Sequence, residues 1–294
     1  MLYFYQEPAF IYEIIDIIRN ANTILRNERS PTMKIEVKTD PNGRKSKVTS
    51  GDIKSNDYIV DQLKAINERL IREHIGNYNI ISEEIVEEAF DKRNNSYIDG
   101  SWLVDPLDGT ADYCNFELEK PCYTANIGLV VDGNPVFGIF SVPETGVIYY
   151  GIQGIGSFKI DDENLLEFSN DYPDFPGNRI FIDAKDLTKP GVRVAVSASH
   201  MNHDTKEFVD SQLKDVTCFP FASSLKLGAV ADGTVDIYPR CGPTYEWDTC
   251  AADAVVRFAG GGVYIYEKGK PLHEYKNMLK YNKENLLNPY FVVF

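Results

Sequence analysis

Residues 102–113 read WLVDPLDGTADY. An apolar run enters Asp105, a second acid follows at Asp108, and Gly109 and Thr110 come next. The run reads as a buried strand and the hexapeptide after it as a tight turn. Pro106 fixes φ there, and Gly109 permits a backbone that a Cβ would hinder. Two carboxylates three apart on such a turn can converge on one point. Converging carboxylates repel unless they share a proton or a cation, and hard oxygen ligands suit Mg²⁺. The competing reading is an Asx-type turn, with each Asp accepting from local N–H groups.

The same arrangement recurs twice. IISEEI places Glu83 and Glu84 just after another apolar strand, and EWDTCAA places Asp248 after Trp247 at the start of a helix. Taken singly, Asp248 is a carboxylate favoured by the helix dipole. Glu83 and Glu84, with Glu87 and Glu88 following, also read as a solvated acidic patch. Three apolar segments with acids at or beside their ends speak for a shared site.

Around these acids the chain divides by its periodicities. Phe10 to Leu25 repeats apolar residues at helical spacing, and a second helix begins near Asp52, with Ile53, Val60, Leu63, Ile66 and Leu70 on one face. KTDPNGRKSKVTSGD (38–52) between them reads as a loop. From 123 to 160, YTANIGLVV, PVFGIFSV, GVIYYG and GSFKI read as hairpin-connected strands. NDYPDFPGN (170–178) reads as a linker. Beyond it strands and helices alternate: RVAVSAS, 202–213, SSLKLGAVADG, VDIYP, EWDTCAADAVVRFAGGG, VYIY and YFVVF. The order predicts a layered α+β chain rather than a doubly wound sheet. Its expected parts are an N-terminal α+β part, 1–185, and a C-terminal α/β part, 186–294.

Bulk properties exclude some functions. The net charge is −14, which repels a nucleic acid polymer but allows a small anion where cations reverse the local sign. No apolar run is long enough to span a membrane, and MLYFYQEPAF lacks signal-peptide features. Five scattered cysteines without CxxC spacing fit a reducing compartment. The expected location is cytoplasmic. Cys250 reads as a small buried thiol, with a nucleophile as the alternative.

DPLDGT, SEE and WDTCAA together resemble the motifs of the inositol monophosphatase superfamily of Mg²⁺-dependent phosphatases. VSASH (196–200), SSLK (223–226), DIYPRCGPTYEWD (236–248), GKPLHEY (269–275) and the C-terminal NPYFVVF are similar to the 3′(2′),5′-bisphosphate nucleotidases within it. The resemblance implies an α-β-α-β-α sandwich. It implies that Glu83, Asp105, the Leu107 carbonyl, Asp108 and Asp248 hold two or three Mg²⁺ ions. VTSGD resembles the VT-x-x-D segment, so Asp52 would orient Thr110, and Thr110 the attacking water. The backbone N–H groups of Gly109 and Thr110 would cradle the phosphate, and His200, Ser223, Lys226 and Arg240 would bind a second one. Plainer readings stand beside these: an N-cap for Asp52, turn chemistry for Thr110, pairing of Arg240 with Glu246 or Asp236, an exposed Lys226, and local hydrogen bonding for His200.

The implied activity removes the 3′-phosphate of 3′-phosphoadenosine 5′-phosphate, with lithium sensitivity and a monomeric or homodimeric chain. An inositol or sugar phosphatase is the second reading, and a non-catalytic nucleotide or metal binder the third. The chain departs from the pattern in three places, the slightest being Ala222 where a glycine is usual. DPNGRKSKVT is longer and more basic than the usual loop, with Lys47 where proline is usual. ADY (111–113) replaces KEF.

Overall fold

Helix α1 (Pro8–Glu28) starts with proline in its first turn, where the missing N–H costs nothing. It buries Phe10, Ile11, Ile14, Ile15, Ile18 and Leu25 along one stripe. Strands β1 (Ile35–Thr39) and β2 (Lys45–Thr49) form an antiparallel pair, and α2 (Ser50–Arg72) follows directly, capped by Thr49. The structure is a computed structural model. It describes residues 3–39, 45–85, 98–164, 167–168, 172–183, 185–197 and 201–294.

Both helices cover one face of a seven-stranded sheet. Its strands run in chain order: β3 (Tyr78–Ser82), β4 (Gly100–Asp108), β5 (Thr124–Val131), β6 (Asn134–Val142), β7 (Val147–Ile152), β8 (Gly156–Ile160) and β9 (Asn178–Ile180). Only the β3–β4 pair is parallel among the described strands of this sheet. A one-turn helix, α3 (Thr110–Tyr113), leaves the end of β4.

In the C-terminal part, β10 (Arg193–Ser197) pairs in parallel with β11 (Thr217–Phe221). Between them lies α4 (His203–Gln212), and α5 (Leu225–Ala231) follows. Strands β12 (Tyr238–Arg240), β13 (Val263–Ile265) and β14 (Phe291–Val293) form a small sheet with β14 central. Helix α6 (Glu246–Phe258) does not stay with this part. It lies on the free face of the large sheet, in one apolar cluster with Ile81, Leu103, Val130 and Phe140. A third cluster joins β10 to α4 through Val194, Val196, Phe208 and Val209. The layers therefore follow the expected α-β-α-β-α order.

A row of glycines lets α6 come so close. Gly128, Gly138 and Gly151 are register partners on β5, β6 and β7. A Cβ on Gly138 would stand 2.8 Å from the Cα and carbonyl carbon of Ala251, and one on Gly151 would stand 2.7 Å from the Ala254 carbonyl oxygen. The helix rests on sheet backbone, as glycine alone permits.

Four sequence expectations change. The stretch 38–52 is not all loop: Lys38 and Thr39 end β1, and residues 45–49 form β2, while 40–44 lie outside the described residues. β1 is exposed at most of its positions, so no burial alternation announces it. The 170–178 stretch is no free linker in its described part. Phe175 is buried and stacks on Phe158 at 5.8 Å, and Asn178 already begins β9. β4 also continues through Asp108, with an irregularity between Asp105 and Asp108 in place of a simple turn. β11 was not expected; its sequence, TCFPF, holds a proline and is largely exposed.

Candidate active site

Parallel pairing explains why the acids meet. Ser82 is the register partner of Val104, so Glu83, the first residue past β3, comes beside Asp105 of β4. Such strand ends are where open sheets present ligand sites. Asp248 arrives from above on the first turn of α6. Oxygens of Glu83, Asp105 and Asp248 lie within 4.8 Å of one another. The Asp105 side chain is buried; one oxygen accepts from the Leu107 N–H at 3.1 Å, and the other has no hydrogen-bond partner among the described residues. Asp248 serves two ends: one oxygen accepts from the Tyr245 N–H at 2.8 Å, closing a capping box, while the group faces the other acids. Both readings of Asp248 hold together.

Burial, then repulsion from Glu83, Asp108 and Asp248, pushes Asp105 well above the ordinary carboxylate range. Burial, then repulsion from Asp108 and Glu83, pushes Asp248 up to about 8. Burial raises Asp108 too, against the pull of Lys226 and Arg240. Crowded carboxylates with a buried, unpartnered oxygen fit a hard divalent cation, whose charge would reverse these shifts. The Asx-turn alternative accounts for one Asp105 oxygen and leaves the other unexplained.

Asp52 is buried in the first turn of α2. Thr110 Oγ1 lies 3.4 Å from Asp52 Oδ1 and 3.3 Å from the Leu107 carbonyl oxygen, and can donate to either. Burial lifts Asp52 to about 7, although the bonds from Thr49 pull it down; Glu84 and Glu83 add to the rise. Asp52 is not the N-cap, which is Thr49. Gly109 takes φ +99° at the mouth of α3. At this short helix's start the Gly109 and Thr110 N–H groups have no intrahelical acceptor.

Two cations border the acids. Lys226 is only 8% exposed, on α5, so the exposed alternative fails. Burial lowers it to about 8; Asp108 opposes the shift and Arg240 adds to it. Arg240 ends β12 and has a buried Nε with no hydrogen-bond partner among the described residues. The carboxylates considered as its partners are engaged elsewhere: Asp236 with Arg193 and Lys185, Glu246 with Lys283. Ser223 sits at φ +52° and donates its hydroxyl to the Asp108 carbonyl oxygen at 2.9 Å. Its Oγ fills the space left by the missing Gly109 side chain. This bond ties the two halves of the chain at the site. His200 lies outside the described residues.

Lys38 was not foreseen. Its ammonium lies 2.6 Å from Glu84 and 3.2 Å from Glu83. The Glu84 side chain is nearly buried, which removes the solvated-patch reading there. The signal for Lys38 was strand register on the first hairpin, invisible once that stretch reads as loop. Cys250 is a buried thiol beneath which Gly128 makes room, and burial raises its pKa well above the usual range.

The model of the inositol monophosphatase family matches residues 8–288. The 3′(2′),5′-bisphosphate nucleotidase CysQ of Escherichia coli (strain K12) is 31% identical over 281 residues, covering 96% of this chain and 98% of its own. CysQ of Haemophilus influenzae is 27% identical over 249 residues, 84% of this chain and 79% of its own. The crystal structure of CysQ from Bacteroides thetaiotaomicron, a bacterial member of the same family, superposes with a TM-score of 0.72 at 28% identity, covering 98% and 97% of the two chains. Inositol monophosphatase-II from Staphylococcus aureus shares the fold at a TM-score of 0.62 and 15% identity, covering 97% and 91%. Acids gathered from both halves, the layered fold and the span of these matches lead to one conclusion: the chain belongs to the inositol monophosphatase family.

Proposed function

We propose that the chain is a Mg²⁺-dependent phosphomonoesterase that removes the 3′-phosphate of 3′-phosphoadenosine 5′-phosphate, giving AMP and phosphate. The observation that carries this reading is a cluster of acids from both halves beside two cations, Lys226 and Arg240, that make no ion pair among the described residues. A single-phosphate substrate has no need of that second positive site. The CysQ relatives bear the matching name.

In this reading Glu83, Asp105, the Leu107 carbonyl, Asp108 and Asp248 hold two or three Mg²⁺ ions. Bound there, the ions would acidify a water and offset the charge of phosphate and leaving oxygens. The protein's own groups do the rest. Asp52 accepts a hydrogen bond from the Thr110 hydroxyl, which leaves the Thr110 oxygen lone pairs free to accept from water and aim it. The Gly109 and Thr110 N–H groups point at the phosphate being removed. Arg240, with its planar fork, and Lys226 fix the second phosphate, with Ser223 and His200 at its border. Ser223 now donates its hydroxyl to the Asp108 carbonyl oxygen and would bind the phosphate by turning that donation to it.

Further parts of the proposal are lithium sensitivity, a cytoplasmic location and the division into 1–185 and 186–294. The free cysteines support a reducing compartment, and no described helix is long and apolar enough to cross a membrane.

The test is phosphate release with Mg²⁺ from 3′-phosphoadenosine 5′-phosphate and from inositol 1-phosphate, for the wild type and Arg240→Ala. The nucleotide should be preferred. Arg240→Ala should lower its kcat/KM roughly 10- to 100-fold while leaving inositol 1-phosphate within about 3-fold. Equal or reversed preference would favour the inositol or sugar phosphatase. Binding without turnover of either would favour the non-catalytic binder.

A further inference from the structure

We infer that Thr49 is a positioning residue for the Asp52–Thr110 pair; the inference rests on the phosphatase reading above. Asp52 has two carboxylate oxygens. Oδ2 accepts twice from Thr49, from its backbone N–H at 2.7 Å and from its hydroxyl at 2.6 Å. Oδ1 is the oxygen that meets Thr110. By occupying Oδ2 twice, Thr49 holds the plane of the carboxylate and turns Oδ1 toward the Thr110 hydroxyl.

Helix capping alone does not call for this. A capping box needs the Thr oxygen to accept from the helix N–H groups and the third residue to take the cap's backbone N–H. Those bonds are present: Thr49 Oγ1 accepts from Gly51 at 3.1 Å and from Asp52 at 3.4 Å. The hydroxyl donation to Asp52 comes on top of them. Thr49 and Asp52 are 2% and 3% exposed, so water has no access to replace that donor.

The other member of the pair is also held from outside. Thr110 begins α3 and Tyr113 ends it. The Tyr113 hydroxyl donates to the Leu25 carbonyl oxygen at 2.7 Å. Its ring lies against Gly51, where a Cβ would come within 2.9 Å of the ring carbon that bears the hydroxyl. The Thr49–Gly51–Asp52 turn thus fixes Asp52 through Thr49 and seats α3 through Gly51.

The test is a double-mutant cycle on 3′-phosphoadenosine 5′-phosphate hydrolysis, with Mn²⁺ affinity by calorimetry and thermal denaturation measured beside it. Thr49→Val should lower kcat at least about 10-fold, with KM and Mn²⁺ affinity within about 2-fold. Thr49→Ser should restore kcat to within about 3-fold of wild type. In an Asp52→Asn background, Thr49→Val should lower kcat by less than about 2-fold more, while its effect on Tm persists. Thr49→Ala takes the place of Val if that variant does not fold. A Thr49→Val loss that is undiminished beside Asp52→Asn, or a kcat within about 3-fold of wild type, would overturn the inference and leave the phosphatase reading intact. A wild type that releases no phosphate from any of the candidate substrates would overturn both.

Discussion

Gly138→Ala should disturb Asp248 from the next turn of α6, three residues along at Ala251. Gly138 lies under α6, and its new Cβ would stand 2.8 Å from two backbone carbons of Ala251. Ordinary contact begins near 3.4 Å. The neighbour is backbone and cannot swing aside, so helix or strand must give about 0.6 Å or more. Both ends of the helix are tied to the 279–283 segment, Glu246 to Asn282 and Lys283 and Arg257 to the Leu279 carbonyl, so a shift of α6 strains these bonds too. Overpacking of this kind costs about 1–3 kcal/mol, or roughly 2–5 °C in Tm for a chain of this size. A misplacement near 1 Å can cost about 100-fold in rate. We therefore expect kcat to fall about 10- to 100-fold at 20 °C, far below the melting transition, with weakened Mn²⁺ binding. The assay is steady-state phosphate release with calorimetric Mn²⁺ titration of the same preparation. A Tm within about 1 °C of wild type and a kcat within 2-fold would refute the close seating of α6 on the sheet.

Three other perturbations test separate parts of the account. Lys226 falls from its ordinary 10.5 to about 8 through burial, so between those pH values the folded chain binds fewer protons than the unfolded one. Stability should rise with pH across that window, and the cost of the buried ammonium below it is on the order of 3 kcal/mol. Lys226→Met should remove that slope in urea denaturation, raise stability at pH 7, and lower kcat/KM for the bisphosphate at least about 10-fold. Asp236 goes the other way: burial raises it, but bonds from Arg193 and Lys185 prevail and hold it below 3.8. Its stabilising contribution is present above that value and disappears as pH falls through its folded pKa, so Asp236→Asn should flatten the acid limb of the stability profile. Asn288 is buried and donates to the Tyr245 carbonyl oxygen at 2.7 Å and to Thr249 Oγ1 at 2.9 Å. Asn288→Ala should cost about 1–3 kcal/mol by removing two buried hydrogen bonds, seen as a lowered Tm.

The carboxylates were legible because each sits at a fixed offset from an apolar run, and strand ends are local features. The partners that make them a site were less so. Lys38 meets Glu83 and Glu84 from an exposed hairpin whose alternation carries no apolar signal. The glycine row under α6 spans three strands, and its members are 10 and 13 positions apart, so only strand register aligns them. Ser223 has a serine's ordinary look in the chain. Its tie to Asp108 crosses 115 positions and depends on a left-handed backbone. Lys226 is buried because α5 lies between the large sheet and the C-terminal strands, a placement no helical stripe states by itself.

Phosphate release from 3′-phosphoadenosine 5′-phosphate by wild type and Asp105→Asn, with and without Mg²⁺, bears on the site as a whole. Asp105 is buried at the centre of the acid cluster, and its second oxygen has no hydrogen-bond partner among the described residues. The account predicts Mg²⁺-dependent turnover by the wild type and none by Asp105→Asn, whose circular dichroism and Tm match the wild type or exceed it. Near-normal activity in that variant, or turnover by the wild type that ignores Mg²⁺, would contradict it.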